Sequence, residues 1–308
     1  MVNGMSQPNF FILGAMKCAT TSLYTYLNQH PDVYFSDPKE PIFFEFEYAK
    51  GLRYYSERYF AGWNGQTAVG EARHRNLYLP FVPERIKQSI PDPKLIVIVR
   101  NPVKRAYSHW FHNYRIGLET LQFEDAIWED MKRIEKGITF DGEEGAHLWA
   151  NDLVVERGKK GIRTTKEFRT YLDSGYYSDQ IRRYMKLFSR QNIRIVFLED
   201  LAQNPQHVVS ELWSFLGVDP TSKLTHTERK NVAESLTSVK LKRYGRRLKV
   251  FKFLPLRVKK IGHNWIEQLN NHPQSLSPSA ENYLASHYYS HNRDLAKLTG
   301  RDLAVWEQ

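Results

Sequence analysis

Long apolar runs, paired cysteines and glycosylation acceptors are all missing from this sequence. No segment approaches the roughly 20 apolar residues of a membrane helix, and the first residues lack the charged start and apolar middle of a signal peptide. The single cysteine, Cys18, excludes an internal disulfide, and no Asn-x-Ser/Thr acceptor occurs. These absences predict a soluble protein located in the cytoplasm.

The charge balance is positive. The 308 residues include 44 Lys and Arg against 34 Asp and Glu, a formal net charge of +10, which favours polyanionic partners without choosing among them. The sequence contains no internal repeat, low-complexity tract or linker of glycine, serine and proline. We therefore expect a single domain over residues 1–308, with a core over about 9–220 and a basic segment and closing helix over 221–308.

Apolar strands alternate with helical patterns along the chain. Three runs have the composition of buried parallel strands: 10–13, 95–99 and 193–198. Helical spacing of apolar residues is found over 20–27, 103–114, 178–189, about 205–216 and 277–298. The alternation predicts an α/β fold of three layers, α/β/α, with a central parallel sheet. Residues 141–165 lack such spacing and are expected to be an irregular insertion, either disordered or a lid.

The loop after the first strand is the first chemical feature. Residues 14–22, Gly-Ala-Met-Lys-Cys-Ala-Thr-Thr-Ser, join a strand to a helix, an arrangement that turns backbone N–H groups and the helix dipole toward one point. Such a loop is suited to a phosphate or sulfate group, although a plain connection with a surface lysine is the alternative. A Walker A motif is excluded because the lysine comes too early. The candidate binding residues are Lys17, Cys18, Ala19, Thr20, Thr21 and Ser22.

Residues 14–27 resemble the 5′-phosphosulfate-binding loop of sulfotransferases that use 3′-phosphoadenylyl sulfate (PAPS). The resemblance is to the carbohydrate branch, which includes the heparan sulfate enzymes and their bacterial relatives. It implies a P-loop-like phosphosulfate-binding loop, in which Lys17 contacts the oxygen that bridges sulfur and phosphorus. It also implies PAPS as co-substrate, adenosine 3′,5′-bisphosphate (PAP) as product, and no metal.

Residues 38–45, Pro-Lys-Glu-Pro-Ile-Phe-Phe-Glu, resemble the Lys-Glu-x-x-Phe-Phe segment of the same family. The resemblance implies that Glu40 is the general base, since an attacking hydroxyl or amine must lose a proton. The alternative is that Glu40 caps or salt-bridges a loop. Ile42 departs from the family, which often has histidine or glutamine at this position.

Residues 95–108 resemble the family's 3′-phosphate-binding element. The resemblance implies that Arg100, at a strand end, and Ser108, in the next helix, hold one phosphate from two sides. A local ion pair of Arg100 is the alternative. His112 matches a histidine near the acceptor in the amine-sulfating enzymes, which makes it a candidate catalytic residue. The alternative is a structural role.

Looser matches lie further along the chain. Tyr177 is expected either to lie near the nucleotide or to pack in the protein interior. Arg229 and Lys230 match a basic loop that closes over the 3′-phosphate in the family. Some relatives carry a second active-site lysine where this chain has Ala72.

The resemblance implies a sulfotransferase that acts on a hydroxyl or amino group of a carbohydrate, glycolipid or small-molecule acceptor. A nucleotide-dependent phosphoryl transferase is the strongest alternative, because the strand, phosphate loop and helix are shared by both classes. A basic nucleic-acid-binding protein is a weaker one, because no base-reading motif occurs, and we expect no nucleic-acid partner. Residues 240–262 contain ten lysines and arginines and no acidic residue. Their helical apolar spacing fits a solvated face, a contact with an anionic membrane, or a groove for a polyanionic acceptor.

Overall fold

The structure is a computed structural model that describes residues 6–116, 118–139, 141–142, 169–227 and 276–306. Three predicted features lie wholly or mostly outside these ranges. They are the insertion over 141–165, the basic pair Arg229 and Lys230, and the basic stretch 240–262.

A parallel sheet of five strands forms the centre of the described structure, with the order β2-β3-β1-β4-β5. The strands are β1 (Phe10–Gly14), β2 (Val33–Phe35), β3 (Ala68–Ala72), β4 (Lys94–Val99) and β5 (Ile193–Phe197). β1 is buried throughout and β4 is buried after its first residue, as expected of strands covered on both faces. The predicted α/β fold with a central parallel sheet is confirmed.

Helices connect the strands and cover the sheet. They are α1 (Thr20–Leu27), α2 (Gly51–Tyr59), α3 (Arg75–Tyr78), α4 (Val82–Ser89), α5 (Pro102–Ile116), α6 (Phe123–Glu135), α7 (Tyr177–Met185), α8 (Leu198–Gln203), α9 (Pro205–Leu216) and α10 (Pro278–Thr299). α1 packs against β1 and α9, whereas α3 packs against β1 and α7. None of the described helices combines the length and the apolar character needed to cross a membrane.

The closing helix α10 shows why these local sequences form helices. The Ser277 side chain accepts a hydrogen bond from the Ala280 N–H, and Pro278 occupies the first turn, where its missing N–H costs nothing. The helix ends at Gly300, which has a φ of 71°. α10 packs against α5 and α7, and Leu284 and Tyr288 are buried in a second apolar cluster built around α5 and α6.

Two strands of the sheet, β2 and β3, are absent from the sequence-based prediction. β2 has only three residues, and β3 contains Gly70 and the buried carboxyl group of Glu71. Tyr55 and Asn76 donate hydrogen bonds to this carboxyl group, while burial raises its pKa to about 7. A strand with a glycine and an acidic residue at its centre does not have the apolar composition on which strand prediction depends.

Candidate active site

The site lies at the carboxyl ends of β1 and β4, the two central strands. From β1 the chain goes to β2 and β3 on one side of the sheet, and later to β4 and β5 on the other. Open parallel sheets bind ligands in the crevice where the strand order reverses in this way. β1 continues through the phosphate loop into α1, and β4 continues into α5, so both predicted phosphate elements meet here.

The phosphate loop is held in an unusual backbone conformation. Lys17 and Ala19 each have a φ of 64°, in the left-handed region. The Ala15 N–H donates to the Ile98 carbonyl of β4 at 2.7 Å, and the Arg100 guanidinium donates through Nη1 to the Lys17 carbonyl at 3.2 Å. The first N–H groups of α1 have no partner within the helix and face the loop. The loop therefore has the form of an anion-binding turn, fixed by β4.

Positive charge is concentrated around Lys17. Burial, together with the charges of Arg115, Arg100 and Arg105, lowers the pKa of Lys17 to about 8. Between described residues neither Lys17 nor Arg100 forms an ion pair with a carboxylate, so the alternative of a local ion pair for Arg100 is not realised there. Cations crowded together without carboxylate partners fit a ligand with several negative charges, such as a nucleotide with phosphate groups.

The remaining loop side chains have distinct environments. Cys18 is fully buried, and its Sγ lies 3.5 Å from the hydroxyl of Tyr177, which is also buried. Tyr177 therefore packs behind the loop. Thr20 and Thr21 are half-buried at the start of α1, and Ser22 is buried.

α5 contributes the side chains that follow Arg100. Ser108 and His112 are both half-buried and lie one helical turn apart, on the same face of the helix. Burial, together with the charges of Lys17, Arg115 and His74, lowers the pKa of His112 to about 4. His112 is thus a neutral imidazole beside the loop at neutral pH.

Glu40 lies at the other side of the loop, surrounded by cations. Its Oε1 is 3.4 Å from Lys39 Nζ, and its Oε2 is 3.5 Å from both Arg73 Nη1 and His74 Nδ1. Burial opposes ionisation of Glu40, but the contacts with His74, Lys39 and Arg73 outweigh it and hold the pKa of Glu40 below its usual range. Lys39 Nζ also donates to Thr21 Oγ1 at 3.2 Å, which connects Glu40 to the start of α1. Glu40 is an ionised carboxylate within the same cluster as the phosphate loop.

Residues 7–275 match the family model described as a sulfotransferase domain. This chain belongs to the sulfotransferase domain family. The resemblance predicted from the phosphate loop and the Lys-Glu-x-x-Phe-Phe segment is confirmed.

Curated and solved sulfotransferases share this similarity. The membrane-associated sulfotransferase kil1 of Dictyostelium discoideum is 26% identical, over 69% of this chain and 56% of its own length. The bifunctional heparan sulfate N-deacetylase/N-sulfotransferase 4 of Mus musculus is 24% identical, over 97% of this chain and 31% of its own. The chain therefore spans about half or less of the length of these relatives. A crystal structure of a sulfotransferase from Alicyclobacillus acidocaldarius superposes with a TM-score of 0.67 and 26% identity, covering 98% of this chain and 100% of that one.

The sequence did not point to every member of this sulfotransferase site. Arg73 and His74 follow β3 directly, and they reach Glu40 only because β3 lies beside β1. Two adjacent basic residues at the end of a strand were the available signal, but the strand itself was not predicted. Within the described residues no group of three or more His, Cys, Asp and Glu side chains is arranged to hold a metal ion.

Proposed function

We propose that this chain transfers the sulfuryl group of PAPS to a hydroxyl or amino group of an acceptor. The observation that carries the proposal is the phosphate loop, whose Lys17 carbonyl accepts a hydrogen bond from Arg100, directly after the carboxyl end of β4. The nucleotide lies across the carboxyl ends of β1 and β4, with its sulfuryl group at the loop and its 3′-phosphate between Arg100 and Ser108. The family match over residues 7–275 supports the same chemistry.

Electrostatic stabilisation accounts for the chemical step. The acceptor atom attacks sulfur in line, and the bond from sulfur to the bridging oxygen breaks with its electron pair left on that oxygen. Lys17 and the N–H groups at the start of α1 stabilise this developing charge more strongly than the ground state. Glu40, ionised at neutral pH, receives the proton that the acceptor loses. His112, which is neutral, contributes a hydrogen bond near the acceptor.

We further propose a carbohydrate or glycolipid acceptor. The names of the relatives support this choice, since they include heparan sulfate N-sulfotransferases and a carbohydrate sulfotransferase. Contact of residues 240–262 with an anionic membrane suits a lipid-linked acceptor, and ten lysines and arginines supply the charge. The cytoplasmic location stays a prediction, based on the single cysteine.

The test of the donor site is calorimetric titration with PAP in EDTA. We expect the wild type to bind PAP with a Kd on the order of 1 µM. Arg100→Ala should weaken binding by about 10 to 100-fold, because it removes a charged hydrogen-bond donor. Arg53→Ala is the matched control, since Arg53 is an arginine on α2 whose side chain is 81% exposed. It should bind PAP as the wild type does.

A folded wild type that does not bind PAP but binds ATP with Mg²⁺ would refute the proposal and favour a phosphoryl transferase. If PAP binds, ³⁵S-labelled PAPS is then supplied with a panel of acceptors: N-deacetylated heparosan, unsulfated chondroitin, and a galactolipid in vesicles. Label on the first acceptor that is lost when its amino groups are acetylated identifies amine sulfation, and label on the others identifies hydroxyl sulfation.

A further inference from the structure

The two oxygens of the Glu40 carboxylate have different surroundings. Oε2 faces two groups that follow β3, Arg73 Nη1 and His74 Nδ1, each at 3.5 Å. Oε1 faces Lys39 Nζ at 3.4 Å, and this ammonium group also donates to Thr21 Oγ1 at 3.2 Å. Oε2 is thus held by two groups that directly follow β3, whereas Oε1 contacts a lysine that also bonds to Thr21 of the phosphate loop.

The groups at Oε2 are fixed by their own packing. The Arg73 N–H donates to the Ile12 carbonyl of β1 at 3.1 Å, and its guanidinium also forms an ion pair with the fully buried Glu45. The His74 carbonyl lies 2.9 Å from the position that a Cβ on Gly14 would take, so its backbone abuts the phosphate loop. The guanidinium of Arg73 and the backbone of His74 are therefore held in place.

The imidazole of His74 has one polar contact among the described residues. Its Nδ1 faces Glu40, whereas its Nε2 is buried and has no hydrogen-bond partner there. A carboxylate accepts hydrogen bonds only, so the proton of a neutral imidazole belongs on Nδ1. The ring then acts as a fixed N–H donor to Oε2.

We propose that His74 is a positioning residue that fixes Oε2 of Glu40 and leaves Oε1 to take the acceptor proton. The inference rests on the proposed function. When PAPS binds, Lys39 turns from Oε1 to the negative charge at the loop, and Oε1 becomes free. The acceptor O–H or N–H proton moves to Oε1, and its electron pair forms the bond to sulfur. The bond from sulfur to the bridging oxygen breaks, and its electron pair stays with PAP.

A double-mutant cycle tests this role. We compare the wild type with His74→Ala, His74→Asn, Glu40→Gln and the double variant His74→Ala/Glu40→Gln, using the best acceptor of the panel above. His74→Ala should lower kcat on the order of 10-fold or more, as loss of a supporting hydrogen bond commonly does. His74→Asn should recover most of the turnover, because its side-chain amide places an N–H donor close to the position of Nδ1. In the Glu40→Gln background, His74→Ala should cause no further loss.

A second measurement needs no acceptor. The side-chain carboxyl carbon of Glu40 is titrated by NMR in the wild type, His74→Ala and His74→Asn. The groups that act on this carboxylate or on the His74 ring are Lys39 and Arg73, and His109 and His112 of α5. They are unchanged in all three proteins. The Glu40 pKa should rise in His74→Ala and stay low in His74→Asn.

Three results would overturn the positioning role. The first is that His74→Asn turns over as slowly as His74→Ala. The second is that His74→Ala lowers kcat by the same factor in the wild type and in the Glu40→Gln background. The third is that the Glu40 pKa is the same in the wild type, His74→Ala and His74→Asn. The first would make the imidazole itself the proton acceptor. PAP binding is measured alongside and should not change in His74→Ala or His74→Asn. A wild type that fails to bind PAP contradicts the proposed function instead, so the two failures are distinguishable.

Discussion

Lys17 is a cation that the fold keeps partly deprotonated at alkaline pH. Its pKa is lowered to about 8 by burial first and then by three arginines. Because the unfolded chain binds a proton more tightly here, the free energy of unfolding rises with pH between about 8 and 10.5. An anion at the loop has the opposite effect, since it favours the charged form of Lys17 and raises its pKa.

Proton uptake on PAP binding follows from this pKa. At about pH 8.5 a large fraction of Lys17 is neutral, and the bound phosphates should draw a proton onto it. The calorimetric enthalpy should therefore depend on the ionisation enthalpy of the buffer, and PAP affinity should fall as the pH rises above about 8. Lys17→Met cannot take up this proton and should show no buffer dependence. Turnover of Lys17→Met should fall on the order of 100-fold. A wild-type enthalpy that is equal in Tris and phosphate would contradict the pKa assignment.

At the scale of elements, the pairing of β1 with β3 brings Arg73 and His74 to the site. Phe10 of β1 is in register with Gly70 of β3, and its ring covers the glycine. A Cβ on Gly70 would lie 2.3 Å from Phe10 Cζ, closer than any packing allows. The glycine is required here because of this approach of an aromatic ring.

Gly70→Ala should destabilise the protein by about 1–3 kcal/mol, because the Phe10 ring must move away from the new methyl group. Urea unfolding measures the change. Phe10→Leu is the partner variant, since the smaller side chain leaves room for the new methyl group. In that background Gly70→Ala should cost less than in the wild type. Equal costs in the two backgrounds would show that the ring is not the source of the strain.

At the scale of the molecule, α10 supports the site from a distant part of the chain. The Tyr288 hydroxyl reaches two carbonyls, Leu172 at 2.8 Å and Tyr171 at 3.2 Å. The Tyr171 carbonyl also accepts a hydrogen bond from the fully buried Arg105 of α5, one of the cations that act on Lys17. α10 therefore stabilises the segment on which the helix with Ser108 and His112 rests.

Tyr288→Phe should lower the free energy of unfolding by about 0.5–1.5 kcal/mol, since it removes the buried hydrogen bonds of the hydroxyl while the Leu172 carbonyl keeps its bond from the Gly175 N–H. Tyr289→Phe is the control on the same helix, because Tyr289 is 47% exposed. It should change stability by less than about 0.5 kcal/mol. Chemical denaturation of both variants gives the comparison. Equal effects would show that the buried hydroxyl contributes nothing specific.

The sequence alone determined the fold class and pointed to the loop 14–22 and Arg100 as segments that follow neighbouring strands. The runs 10–13, 95–99 and 193–198 are apolar enough to be identified as buried strands, and β1, β4 and β5 are found there. The loop 14–22 and the strand end at Arg100 are local signals, since a few consecutive residues form each one. The predicted membership of the sulfotransferase family depended on these local patterns.

Only the tertiary structure decided what surrounds Glu40. Arg73 and His74 are 33 and 34 residues away from it in the sequence, and no periodic pattern connects them. They meet because β3 lies between β2 and β1 in the sheet. β3 could not be predicted as a strand from its composition, because it contains a glycine and a buried glutamate. Local sequence encodes backbone geometry and single charges. The pKa of Glu40 and the contacts of its Oε2 depend on the distances from Glu40 to Arg73 and His74. The order of the strands in the sheet brings these residues close together.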